Sequence, residues 1–186
     1  MKKLLFTLAC VFAVASAKAQ GTVNFANTAG SLISYAAGVN GGAAVPTGQF
    51  TAELLYWATD PGVVNLNSSI AGLTSIKTSA NFISAGRFIG GVATTPSTTA
   101  GGASAWFAVV AWQTSFGSYD AARAAGFYGY SGVFQNATGN PNSIPPGAAA
   151  AMTGFTGINN VNQVPEPSTI ALGILGAAGL LLRRRK

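Results

Sequence analysis

Glu53, Asp60 and Asp120 are the only carboxylates between Gln20 and Val164, so acid–base chemistry in the body of this chain would have to come from them. Two carboxyl groups about 5–10 Å apart can cleave a glycosidic bond, one as acid and the other as base or nucleophile. Each of the three also has a local structural role. Glu53 lies on the polar face of an alternating segment, Asp60 opens an Asp-Pro-Gly turn, and Asp120 falls in the first turn of a short helix. The chain has no histidine, which removes Ser-His-Asp and Cys-His nucleophile activation and histidine-based zinc sites. Its one cysteine, Cys10, lies in an apolar N-terminal run. The expectation is a protein with no catalytic residues, no cofactor and no metal.

Two further groups of residues have binding chemistry. In "TDPGVVNLNSS", Asp60, Asn65 and Asn67 supply oxygen atoms, but the spacing does not match an EF-hand loop, and Asp-Pro-Gly favours a plain turn. Asn67-Ser68-Ser69 and Asn136-Ala137-Thr138 fit the N-glycosylation sequon and serve here as markers of loops. Aromatic rings can stack on sugars or fill a core. Trp106 and Trp112 lie in an apolar run and read as core. "GFYGYSG" at 126–132 reads as the most exposed aromatic cluster, which makes Tyr128 and Tyr130 a candidate glycan face.

The elements that must position these residues read as strands. In "GQFTAELLYW", Phe50, Ala52, Leu54 and Tyr56 share one face. "SAWFAVVAWQ" is apolar on both faces, the pattern of a central strand covered on both sides. "GTVNFAN" and "GVFQNAT" read as further strands, and "FISAGRFIGGVAT" at 82–94 as a strand with glycine-marked bends. One helical insert fits "GSYDAARAAGF", capped by Ser118 and ended by Gly126. The spans 94–104 and 136–147 read as loops. Many short strands between Gly, Pro and Asn turns predict an all-β fold, an antiparallel β-sandwich or jelly-roll-like body.

Both ends of the chain differ from the body. Lys2 and Lys3, an apolar run of 12 residues from Leu4 to Ala15, and small residues at Ala17 and Ala19 make the pattern of a signal peptide. Signal peptidase would cut after Ala19 and leave Gln20 as the first residue. Loss of this segment would remove the cysteine and with it any disulfide in the mature protein. The formal charge of +6 is also a property of the ends. Between Gln20 and Val164 Glu53, Asp60 and Asp120 balance Lys77, Arg87 and Arg123, so the body has no basic footprint for nucleic acid.

At the C-terminus, Pro165-Glu166-Pro167 precedes an uncharged run from Ile170 to Leu182 and the cluster Arg183, Arg184, Arg185 and Lys186. As a helix the run would be about 20 Å long, against a hydrocarbon core of about 30 Å. With Ser168 and Thr169 added and the arginines snorkelling, it makes a marginal transmembrane helix with its bases on the cytoplasmic side. Pro165 and Pro167 keep Glu166 in an extended segment outside it.

The order of tripeptide, short apolar helix and basic cluster, together with an N-terminal signal peptide, resembles the PEP-CTERM sorting signal of Gram-negative bacteria. The β-rich, low-charge body is also similar to the bodies of such proteins. The resemblance implies that an exosortase-type membrane enzyme recognises Pro165, Glu166 and Pro167 and cuts nearby. It further implies transient anchoring in the inner membrane, then delivery to the cell surface or extracellular matrix. The expected organisation is a signal peptide at 1–19, a β-rich extracytoplasmic domain at 20–163 and a sorting segment at 164–186. The expected function is that of an exported structural protein, with an exopolysaccharide-binding module as the alternative.

Overall fold

The computed structural model describes residues 20–162. The signal segment with Ala17 and Ala19, the Pro165-Glu166-Pro167 motif, the apolar run and the basic cluster lie outside these residues. In chain order the strands are β1 (Thr22–Ala26), β2 (Ile33–Tyr35), β3 (Phe50–Trp57), β4 (Ser75–Ser79), β5 (Phe82–Ser84), β6 (Arg87–Thr94) and β7 (Ser104–Gln113). The helix α1 (Tyr119–Ala125), the one α-helix among the described residues, follows, then β8 (Tyr128–Tyr130), β9 (Phe134–Ala137), β10 (Ala150–Ala151) and β11 (Ile158–Val161). Among the described residues no helix is long and apolar enough to cross a membrane.

The two longest apolar alternations pair with each other. β3 runs antiparallel to β7 from Phe50 opposite Gln113 to Trp57 opposite Trp106. β4 flanks β3, while β8 and β9 pair in succession along the other side of β7. A second sheet has the order β10-β1-β6-β5, and β2 and β11 form a separate pair. One buried cluster joins the sheets: Val23, Phe25 and Phe88 meet Phe50, Leu54, Phe107 and Val109 in it. Burying side chains of this size stabilises the fold by roughly 1.5–3 kcal/mol each, before entropy is counted.

The opposite face of β3 and β7 is covered as well. Leu55, Ala108, Val110 and Trp112 are buried under Leu66 and under Tyr119 and Ala122 of α1. The helix sits as its sequence predicts. The Ser118 hydroxyl accepts from the Ala121 N–H at 3.2 Å, Asp120 lies in the first turn, and Gly126 closes the last turn in the left-handed region at φ 85°. The cover over β7 explains why "SAWFAVVAWQ" is apolar on both faces.

Three expectations are corrected. The sheets are not purely antiparallel: β1 pairs parallel with β10, and β2 with β11. More than a hundred residues separate each of these partners, so no local hairpin pattern announces them. The span 82–94 is a hairpin of β5 and β6 rather than one bent strand. Its turn passes through Gly86 at φ 66°, where an added Cβ would stand 2.6 Å from the Ile33 carbonyl oxygen. Finally, Trp106 is only half-buried, whereas Trp112 is in the core as expected. Trp106 lies opposite Trp57 near the end of the β3–β7 ladder, beyond the cover of α1.

Candidate functional site

Strand β8 brings Tyr128 and Tyr130 to the α1-covered face of β7, opposite Trp112 and Val110 respectively. Residues two apart on a strand share a face, and the two rings stack with centroids 6.3 Å apart and planes 16° apart. Gly129 between them lies against β11, where a Cβ would meet Val161 Cγ2 at 2.7 Å. The glycine therefore lets β8 sit flush on β11, and this close approach fixes where both tyrosines point. Both are half-buried, so the cluster is less exposed than its composition suggests.

The two rings are used differently. Tyr128 meets the edge of Tyr119 at 5.6 Å, and its hydroxyl donates to Asn67 Oδ1. Tyr119 is itself buried and donates to the Leu66 carbonyl at 2.5 Å. Burial, with Tyr128 and Tyr130 nearby, pushes the Tyr119 phenol well above the ordinary range. Tyr128 is thus part of the clamp that holds the 64–73 loop to the sheet. The Tyr130 hydroxyl has no partner among the described residues. Tyr130 lines a groove of about 450 Å³ with Ser34, Ser131, Thr156, Asn159 and Asn160.

The three carboxylates separate into two environments. Glu53 and Asp120 line one groove of about 430 Å³, floored by the buried rings of Trp112 and Tyr119. Asp60 lies elsewhere, on an exposed turn where its Oδ1 accepts from the Gly62 N–H at 2.8 Å. Both oxygens of Asp120 are engaged: Oδ2 accepts from the Ser69 hydroxyl at 2.7 Å and Oδ1 from the Ile70 N–H at 3.1 Å. Arg123 Nε stands 3.9 Å from Oδ1, a charge contact too long for a hydrogen bond. Asp120 fastens the loop to α1. Glu53, half-buried between Thr78 and Val110 across the sheet, makes no hydrogen bond or ion pair among the described residues.

The oxygen-rich stretch after Asp60 is occupied by its own turns. Asn65 Oδ1 accepts from the Asn67 N–H at 3.0 Å, and Asn67 Oδ1 takes the Tyr128 hydroxyl. No group of three or more His, Cys, Asp or Glu side chains gathers among the described residues. The two sequons are not equivalent. Asn67 is exposed on its turn, whereas Asn136 is 4% exposed and holds four partners. Its Nδ2 donates to the Ala137 and Ala151 carbonyls at 2.8 and 2.9 Å, and its Oδ1 accepts from the Gly154 N–H at 3.0 Å and the Thr153 hydroxyl at 3.3 Å. Asn136 is a structural bridge on β9, not a loop marker. Its long-range partners give no signal in the sequence.

The body therefore has grooves and buried polar links on a rigid β-frame, and the chain leaves that frame at β11. The Asn162 N–H donates to the Tyr128 carbonyl at 2.8 Å, so the domain is tied down to its last described residue. The next residues have a family. Residues 163–186 match the model of the PEP-CTERM protein-sorting motif, as the tripeptide, apolar run and basic cluster had implied. The chain carries the tail of an exosortase substrate, and exosortase-dependent export is what that tail implies. No curated protein and no solved structure matches the chain.

Proposed function

We propose that this is an exported, non-catalytic structural protein of the cell surface or extracellular matrix. The match of residues 163–186 to the sorting motif carries the reading. A signal peptide at 1–19 starts export, and signal peptidase exposes Gln20. The run from Ile170 to Leu182 holds the chain briefly in the inner membrane, with Arg183 to Lys186 on the cytoplasmic side. An exosortase-type enzyme then cuts near Pro165-Glu166-Pro167. Too slight for a lasting anchor, the apolar run suits a temporary stop. A non-catalytic role agrees with the absence of histidine and with the structural duties of Asp60 and Asp120.

A second reading, an exopolysaccharide-binding module delivered by the same route, is favoured by the Tyr130 groove, where the side chains of Ser34, Tyr130, Thr156 and Asn159 have no hydrogen-bond partner among the described residues. Intact-mass analysis of the protein recovered outside the cell tests the primary reading. The expected mass begins at Gln20 and ends near Pro165-Glu166-Pro167. A mass that still includes Arg183 to Lys186, or normal release after those three residues are changed to alanine, would refute it.

A further inference from the structure

We propose that the groove beside Tyr130 binds an uncharged saccharide chain; this rests on the second reading above and names its site. Three segments build the groove: β2 with its preceding turn, the end of β8, and the 156–160 stretch leading through β11. Its volume of about 450 Å³ lies within the range of roughly 300–1,000 Å³ typical of small-molecule sites.

The frame of the groove is held by internal hydrogen bonds. Asn160 Oδ1 accepts from the Tyr130 N–H at 3.0 Å, which fixes the amide plane. Ser131 Oγ accepts from the Val109 N–H at 2.8 Å and donates to the Gly132 carbonyl at 2.8 Å. Gly157 at φ 101° packs so closely that a Cβ would stand 2.6 Å from the Leu32 carbonyl oxygen.

Other polar atoms of the groove are left without partners among the described residues. These are the hydroxyls of Ser34, Tyr130 and Thr156, the Asn159 amide, and Nδ2 of Asn160. Hydroxyls can both donate and accept, and amides offer one group of each kind. That set matches the hydroxyls of a sugar, which also donate and accept. Tyr130 also lines the groove, with its ring stacked on Tyr128, and the apolar surface of such a ring can meet the C–H face of a pyranose.

No charged side chain lines the groove, and the described body is formally neutral. A uronate, sulfate or phosphate would lose hydration there with no cation to replace it. The chemistry therefore selects a neutral glycan over an acidic one. Tyr128 is excluded from the site, because its ring and hydroxyl already hold the 64–73 loop.

The test uses the full chain in a detergent without a sugar headgroup. Binding of mannotetraose, cellotetraose and N-acetylchitotetraose is measured by calorimetry beside tetragalacturonate and the native exopolysaccharide. At least one neutral tetrasaccharide is expected to bind, and tetragalacturonate to bind at least about tenfold more weakly. Tyr130→Ala should weaken the neutral ligand by about tenfold. Asn159→Ala with Thr156→Ala removes two exposed, unpartnered side chains and should weaken it several-fold with the near-ultraviolet dichroism unchanged. Wild-type affinity in the double variant, or equal affinity for the acidic ligand, overturns the groove assignment. If the native polysaccharide still binds while the groove variants match wild type, the binding-module reading stands and only its site is wrong. Absence of binding to the native polysaccharide and to every neutral probe overturns both.

Discussion

Asn136→Ala is expected to cost about 3 kcal/mol of folding stability. The side chain is nearly fully buried and ties β9 to β10 and to the segment after it. Its loss removes three short hydrogen bonds, to the Ala137 and Ala151 carbonyls and from the Gly154 N–H, each worth a net 0.5–1.5 kcal/mol or about 3 together. The 3.3 Å bond from Thr153 adds little. Both carbonyls have second lone pairs to satisfy, and Ala151 already accepts from the Thr153 N–H at 2.9 Å. The half-buried Gly154 N–H has no such alternative, and leaving it unpaired adds to the cost. These contributions overlap, so about 3 kcal/mol is the working figure, a large share of the 5–15 kcal/mol typical of a domain. It corresponds to a fall in Tm of roughly 6–12 °C, at about 2–4 °C per kcal/mol. Urea unfolding followed by tryptophan fluorescence would measure the loss, with the exposed Asn67→Ala as a comparison expected to cost less. A loss below about 1 kcal/mol for Asn136→Ala would refute the assignment of this asparagine as a bridge.

Two further predictions concern packing and pH. Gly129→Val drives a side chain into Val161 and Ile158, so β11 should separate from β8 at a cost of about 1–3 kcal/mol, with faster amide exchange at Ile158 to Asn162. The buried phenol of Tyr119 is raised above its ordinary 10.0, so the folded state keeps a proton that the unfolded chain releases. Stability is then intact below pH 10.0 and falls as pH rises beyond it. Tyr119→Phe should shrink that alkaline loss in urea titrations at pH 9 and 11; an unchanged loss would contradict the burial argument. Tyr35, also raised by burial and only partly offset by a hydrogen bond from Asn40, leaves a smaller loss in the variant.

The strands that carry alternating or doubly apolar patterns were legible from the residues alone. β3 and β7 follow directly from their side-chain order, and α1 from Ser118, Asp120 and Gly126. What escaped has a common cause. β2, β4, β10 and β11 span two to five residues, too few for a period to register, and the partners of β2, β10 and β11 are remote in the chain. "SIKTS" and "INNV" become strands because a sheet edge awaits them, not through local preference. The aromatic cluster at 126–132 has legible chemistry but is less exposed than its composition implies. Only the fold reveals that Tyr128 is engaged with Tyr119 and Asn67 while Tyr130 opens onto a groove. Five of the twelve residues lining that groove come from Thr156 to Asn160, a stretch with no chemical signature of its own.

The parallel pairing of β11 with β2 has a mechanical consequence. Any tension drawn through the tail enters the domain at Asn162. It then runs along β11, across the direction of the bonds from Ile158 to Leu32 and from Ala36 to Val161. Tension along a strand shears its bonds together instead of peeling them one at a time. A pull on the tail would therefore load this domain in its stiffer direction.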